Sequence, residues 1–138
     1  MENSSTVFIA IGNSLRADDG IAHRIVERWQ TLKPGAFVIQ CLQLTPELAA
    51  ELPKHQTVLF LDADPTTTEP ILEPVDESRV SRAFTHVSSP SEIVRLARTL
   101  FAFQGRAFQL RLPAQDFSYR ESLSAAGSRL ADLVCGLI

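Results

Sequence analysis

Residues 7–20 have the sequence VFIAIGNSLRADDG, and this stretch decides the fold. It begins with five consecutive apolar residues, which is typical of a strand buried on both faces of a sheet. Gly12 and Asn13 end the strand, because they tolerate backbone conformations that other residues avoid. Asp18 and Asp19 follow, just before an amphipathic stretch with helical spacing. The sequence therefore places two carboxylates at the carboxyl end of the first strand, the edge where open α/β sheets bind ligands.

Asp18 and Asp19 have two competing interpretations. An aspartate just before a helix is an ordinary N-terminal cap. Two carboxylates kept ionised by the helix dipole can also accept a cation or perform acid–base chemistry. A dinucleotide site is disfavoured, because the G-x-G-x-x-G spacing is missing and acidic residues at the mouth would repel a phosphate. The cap and the cation or acid–base site both remain open at this point.

A second apolar run, Thr57–Leu61, also ends in acid, at Asp62. Two neighbouring parallel strands would bring Asp19 and Asp62 to the same edge of the sheet. The competing interpretation of Asp62 is a turn residue ahead of a proline. His86 lies just before a Ser-Ser-Pro sequence that predicts a helix start, in a segment that could reach the same edge.

Strands alternate with helices along the rest of the chain. Further strands are predicted at 36–42, at 71–75 as an edge strand and at 107–112, with a short extended segment at 82–87. Helices are predicted at 46–52, from 90 to about 103 and from 124 onward, and the second of these is expected to bury Ile93, Ala97, Leu100 and Phe101. The pattern predicts one domain over residues 1–138 with a three-layer, phosphorylase/hydrolase-like α/β fold. Its twisted, mostly parallel sheet has about five strands flanked by helices.

Composition narrows the class of protein. The chain has 138 residues, 45% of them hydrophobic, and a net charge of −3, so it offers no basic stripe for nucleic acid.

Cys41 and Cys135 are predicted to be buried thiols rather than a disulfide framework or metal ligands. His23 and His55 are interpreted as structural. No leader and no apolar run of membrane-spanning length is found, so a cytoplasmic location is expected.

Asp19, Asp62 and His86 form a mixed carboxylate and imidazole set. Such a set suits nickel or zinc better than calcium or magnesium, which prefer oxygen ligands alone. Three protein ligands with open positions are typical of a catalytic or transient site. Rival hydrolytic motifs are missing, since the chain has neither a G-x-S-x-G elbow nor an H-E-x-x-H helix.

Four segments together resemble the [NiFe]-hydrogenase maturation endopeptidases. They are GNSLRADDG before an amphipathic helix, LDA at the end of a later strand, THVSSP at a helix start and LPAQDFSYRESLS before the last helix. The resemblance implies a cytoplasmic protease that removes a short C-terminal extension from the hydrogenase large-subunit precursor after nickel insertion. It also implies that nickel arrives with the precursor, that zinc or cadmium can serve as a surrogate, and that no organic cofactor is used.

The resemblance also assigns residues. Asp19 and Asp62 match the first two metal ligands of the family, and His86 is the only histidine near the position of the third. The motif that shapes the substrate loop corresponds to Gly12, Asn13, Asp18 and Gly20. The three ligands would grip the precursor's nickel and so place one peptide bond for hydrolysis.

Two questions stay open at the level of sequence. The attacking group is either a metal-activated water or a water activated by a carboxylate. A non-enzymatic, nickel-dependent checkpoint or chaperone that binds the same precursor needs the same three ligands and remains the alternative. A monomer is expected, with no nucleic acid or membrane partner.

Overall fold

The computed structural model describes residues 5–78 and 88–136. Within these residues one sheet contains β1 (Thr6–Ile11), β2 (Phe37–Cys41), β3 (Thr57–Asp64), β4 (Ile71–Pro74) and β5 (Arg106–Pro113). The strand order is β2-β1-β3-β5-β4. All neighbouring pairs are parallel except β4 with β5, which is antiparallel at the edge. The predicted mostly parallel sheet of about five strands is confirmed, including its edge strand.

Helices cover both faces of the sheet. They are α1 (Ile21–Leu32), α2 (Pro90–Phe101) and α3 (Ala125–Gly136). One hydrophobic cluster joins α1 and α3 to the sheet, and a second joins α2 and the turn Pro46–Ala50 to the opposite face. The three-layer arrangement is therefore confirmed. No helix within the described residues is both long enough and apolar enough to cross a bilayer.

The central strand β1 is buried on both faces, as its continuous apolar sequence predicts. Val7, Ile9 and Ile11 belong to the cluster beneath α2, whereas Ala10 belongs to the cluster beneath α1 and α3. Val7, Ile9 and Ala10 have no exposed surface. Burying a side chain of the size of valine or isoleucine contributes about 1.5 to 3 kcal/mol, so this strand anchors the position of the loop that follows it.

Two predicted helical features differ in the structure. The segment predicted as a helix at 46–52 forms two 3₁₀ turns, Pro46–Ala50 and Leu52–Lys54, because Pro53 cannot continue an α-helical hydrogen-bond ladder. The predicted burial of Leu100 and Phe101 is wrong, since these side chains are 65% and 41% exposed.

The reason for the second difference lies at the end of α2. The helix stops at Ala102, whose backbone is left-handed with a φ of 56°. The chain then turns, and Phe103 enters the core instead, with only 3% of its surface exposed. Ile93, Val94 and Ala97 form the buried face of α2.

Both cysteines, Cys41 and Cys135, are free thiols, but only Cys135 is buried as predicted, since Cys41 is partly exposed. The predicted segment 82–87, and with it His86, lies outside the described residues.

Candidate functional site

Two glycines close the loop between β1 and α1. Gly12 has a φ of +147°, and a Cβ atom built on it would lie 2.0 Å from the carbonyl oxygen of Asp19. A Cβ atom on Gly20 would lie 2.9 Å from the Cα atom of Ser14. A side chain at either position would force the two ends of the loop apart. The glycines therefore hold Asp19 against the carboxyl end of β1.

Asp19 lies in a 3₁₀ turn, Ala17–Gly20, that leads directly into α1. Its Oδ2 atom accepts a 2.8 Å hydrogen bond from the backbone N–H of Asn13. The N-cap of α1 is Gly20, and no side chain caps the helix. The cap interpretation of Asp18 and Asp19 is therefore wrong, and the carboxylate of Asp19 is held from the loop side and remains partly exposed.

Asp18 faces inward and is only 2% exposed. Its carboxylate accepts hydrogen bonds from the backbone N–H of Ser124 at 2.8 Å, the Ser124 hydroxyl at 2.8 Å and the backbone N–H of Asp116 at 3.3 Å. Gly127 provides the space, because a Cβ atom there would lie 2.3 Å from Asp18 Oδ1. Asp18 thus ties the β1–α1 loop to the segment before α3. That segment is part of the LPAQDFSYRESLS motif.

Asp62 lies on β3 in register with Ile11 of β1, which is itself in register with Cys41 of β2. Burial raises the pKa of the Asp62 carboxyl to about 7, and the negative charge of Asp19 is the next cause of the increase. The Asp19 and Asp62 carboxylates are therefore close enough to repel each other. The structure brings these two predicted site residues together at the carboxyl edge of the sheet.

The turn interpretation fits Asp64, not Asp62. Strand β3 extends beyond the predicted Thr57–Leu61 and ends at Asp64. Asp64 Oδ1 accepts hydrogen bonds from the Thr66 N–H at 2.8 Å and the Thr66 hydroxyl at 2.6 Å, and Arg111 donates to Oδ2 at 3.0 Å. These contacts lower the pKa of the Asp64 carboxyl, with the Thr66 hydrogen bonds as the largest cause.

Cys41 is a neighbour of this edge rather than a reactive group. Burial, followed by the charge of Asp62, raises the pKa of its thiol to about 11. The Cys41 thiol also donates to the carbonyl oxygen of Ala10 at 3.6 Å. A thiol that stays protonated is a poor nucleophile and a poor metal ligand, in agreement with the sequence-based interpretation.

Asp19 and Asp62 give this edge of the sheet two neighbouring carboxylates. In the described ranges, 5–78 and 88–136, neither carboxylate forms an ion pair. The same residues contain no group of three or more His, Cys, Asp or Glu side chains that could hold a metal ion. Two residues of the predicted ligand set, Asp19 and Asp62, therefore lie near each other at this edge, while the predicted third ligand, His86, lies outside the described part of the chain.

His23 lies directly behind the β1–α1 loop and is 7% exposed. Its Nε2 atom is 2.7 Å from the carbonyl oxygen of Gly12. Sequence reasoning missed this contact, because it joins residues 11 positions apart across the loop. His55, the other histidine interpreted as structural, lies just before β3 at the opposite edge and contacts Glu51 at 3.0 Å.

Comparison with known proteins identifies structural relatives only. No protein-family model and no curated protein matches the chain. The [NiFe] hydrogenase maturation protease HycI from Thermococcus kodakarensis KOD1 superimposes with a TM-score of 0.75 at 18% identity, over 97% of this chain and 89% of that one. The hydrogenase maturating endopeptidase HybD from E. coli gives 0.65 at 14% identity, over 96% and 88%. A hydrogenase 2 maturation peptidase from a Thaumarchaeota archaeon gives 0.61 at 20% identity, over 96% and 94%. The chain therefore has the fold of hydrogenase maturation proteases over nearly its whole length.

Proposed function

We propose that this chain is an endopeptidase that removes the C-terminal extension of a [NiFe]-hydrogenase large-subunit precursor after nickel insertion. The observation that carries the proposal is the pair of mutually repelling carboxylates, Asp19 and Asp62, at the ligand-binding edge of a maturation-protease fold. Such a pair is unfavourable in the free protein, and a cation bound between the two carboxylates would stabilise both in their ionised form.

In this proposal Asp19, Asp62 and His86 contact the nickel ion that the precursor brings with it. The ion is part of the substrate, and the contacts position one peptide bond of the precursor beside the site. The isolated protein, which offers few ligands at a partly exposed edge, should bind nickel, cadmium or zinc weakly and reversibly. Protein that retains stoichiometric metal after dialysis would point to a conventional metallopeptidase instead.

The attacking group is one of two kinds of water. The positive charge of the ion can acidify a nearby water, or one of the carboxylates can accept a proton from it. Both routes need the same pair of aspartates, so both predict the same loss of activity when either is neutralised. The proposal further places the protein in the cytoplasm, as a monomer, without nucleic acid or membrane partners.

The test is incubation of a nickel-loaded large-subunit precursor with the protein, followed by mass measurement of the precursor. Wild-type protein should shorten the precursor from its C-terminus. Asp19→Asn and Asp62→Asn should slow this at least about 100-fold, because asparagine is a poor metal ligand and cannot accept a proton. Thermal unfolding of both variants should show unchanged or slightly increased stability, which separates loss of function from loss of fold.

Asp64→Asn is the matched control, since it neutralises a carboxylate two residues further along the same strand. It should retain cleavage, because Asp64 is engaged by Thr66 and Arg111. Retained cleavage by both Asp19→Asn and Asp62→Asn would remove these residues from the site. Nickel-dependent binding of the precursor without any shortening would support the checkpoint or chaperone instead.

A further inference from the structure

Three side chains behind the β1–α1 loop form a connected hydrogen-bond relay. His23 and Glu27 lie on successive turns of α1, and Gln40 lies on the adjacent strand β2. Gln40 Nε2 is 2.9 Å from Glu27 Oε2 and 3.2 Å from His23 Nδ1. His23 Nε2 is 2.7 Å from the carbonyl oxygen of Gly12. The relay therefore runs from the surface of α1 to the backbone at the end of β1.

The partners fix the direction of every hydrogen bond in the relay. The carbonyl oxygen of Gly12 can only accept, so His23 carries a hydrogen on Nε2. The carboxylate of Glu27 can only accept, so Gln40 turns its amide nitrogen toward Glu27 and donates its second hydrogen to His23 Nδ1. Glu27 and Gln40 together thus select the neutral histidine tautomer that donates to Gly12.

The relay reaches Asp19 through one rigid peptide unit. The carbonyl of Gly12 and the N–H of Asn13 belong to the same planar trans peptide, in which they point in opposite directions. His23 holds the carbonyl end, and the N–H end donates to Asp19 Oδ2 at 2.8 Å. The hydrogen bond from His23 therefore determines where the donor to the Asp19 carboxylate points.

We infer that His23, oriented by Gln40 and Glu27, is a positioning residue that holds the Asp19 carboxylate in place for the incoming cation. This inference rests on the proposed function of Asp19 as a contact to that cation. It extends the site beyond the predicted ligands to α1 and β2. Partners behind a metal ligand typically change metal affinity 10- to 100-fold when they are removed, which sets the scale of the expected effect.

The test uses His23→Leu, which deletes the donor, and His23→Gln, whose amide nitrogen can donate from a similar position. Two quantities are measured, the hydrogen-exchange rate of the Asn13 amide and the affinity for cadmium ion by titration calorimetry. His23→Leu should speed Asn13 exchange and should weaken cadmium binding about 10-fold. His23→Gln should restore most of both.

His55→Leu is the matched control, because His55, like His23, is a buried histidine. It lies at the opposite edge of the sheet, where it contacts a glutamate. It should leave Asn13 exchange and cadmium affinity unchanged. Gln40→Ala is a second variant at an exposed position, and it keeps the test available if His23→Leu fails to fold. It should shift both quantities in the same direction as His23→Leu, by several-fold.

The inference is overturned if Asn13 exchange and cadmium affinity stay at wild-type values in His23→Leu, or in Gln40→Ala where His23→Leu does not fold. An equal loss in His55→Leu would also overturn it, since the effect would then be general loosening. Failure of the proposed function has a different signature. Asp19→Asn would leave cadmium affinity unchanged, while Asn13 exchange would still be faster in His23→Leu.

Discussion

The β1–α1 loop and the end of β3 each carry two aspartates, and the two members of each pair differ in the same way. Asp18 and Asp64 are engaged, the first by backbone and hydroxyl donors near Ser124, the second by Thr66 and Arg111. Asp19 and Asp62 repel each other and form no ion pair with any residue that the structure describes. Within β3 the same residue type thus stabilises the fold at Asp64 and is unfavourable when ionised at Asp62.

The difference is clearest along β3, where Asp62 and Asp64 lie two residues apart and so on the same face of the strand. Burial and the charge of Asp19 raise the pKa of the Asp62 carboxyl to about 7. Hydrogen bonds from Thr66 and the nearby Arg111 lower the pKa of the Asp64 carboxyl. Asp62, one of the positions that the proposed function uses, therefore carries its charge in an unfavourable environment, which is typical of functional sites.

The largest expected loss of stability comes from removing a carboxylate that accepts several hydrogen bonds. Asp18→Ala should lower the free energy of unfolding by about 3 kcal/mol, because it leaves the partly buried N–H groups of Ser124 and Asp116 without their acceptor. Urea unfolding measures the change. Asp19→Ala is the control and should cost less than about 1 kcal/mol, since it frees a single partly exposed donor. Equal losses of stability in the two variants would show that the several hydrogen bonds to Asp18 contribute no more than the single one to Asp19.

At Asp62, neutralising the carboxylate is expected to raise the free energy of unfolding, the opposite of the effect at Asp18. Its pKa is about 7 in the folded protein against an ordinary value of 3.8. Below pH 3.8 both states hold the proton, and no penalty exists. As the pH rises from about 4 to 7 the unfolded chain ionises first, so the folded protein loses stability, and above pH 7 the loss is constant.

Asp62→Asn removes this titration, so the stability advantage of the variant over wild type should grow from near zero at pH 4 to a constant value above pH 7. Urea unfolding at a series of pH values, with a chelator present, measures the gain. A difference that does not depend on pH would show that Asp62 is not held in an unfavourable environment.

The smallest effect on stability is expected at Asp64, where neutralising the carboxylate should lower the free energy of unfolding. Its lowered pKa means that its contribution to stability is present above the ordinary value and is lost as the pH falls through the folded value. Asp64→Asn keeps an oxygen for Thr66 but loses the charge facing Arg111, so it should cost less than about 1 kcal/mol at pH 7. Thermal melting at pH 7 and pH 3 measures this cost. A loss that persists undiminished at pH 3 would contradict an ionic origin.

Local patterns were sufficient to predict much of the fold. Continuous apolar runs located β1 and β3, prolines located the edge strand β4, and the Ser-Pro pair located the start of α2. Ser89 there accepts from the Glu92 N–H at 3.2 Å and forms a capping box. These features depend on neighbours in sequence, which is why they can be predicted from the sequence.

What the sequence could not predict depends on distant contacts. Asp18 and Asp19 are adjacent and chemically identical, and only the bonds from Ser124, 106 residues away, assign the anchoring role to Asp18. The role of His23 depends on Gln40 in another strand. The exposure of Leu100 follows from where α2 happens to turn, at Ala102. His86, predicted from its position before α2, remains a prediction.

The most direct test of the carboxylate pair is the pKa of Asp62, measured by carboxyl ¹³C NMR in wild-type protein and in Asp19→Asn. Wild type should titrate at about 7, and the variant should titrate lower while staying above 3.8, because burial is the larger cause and persists. An Asp62 pKa near 3.8 in wild type, or one that Asp19→Asn leaves unchanged, would contradict a coupled carboxylate site at this edge of the sheet.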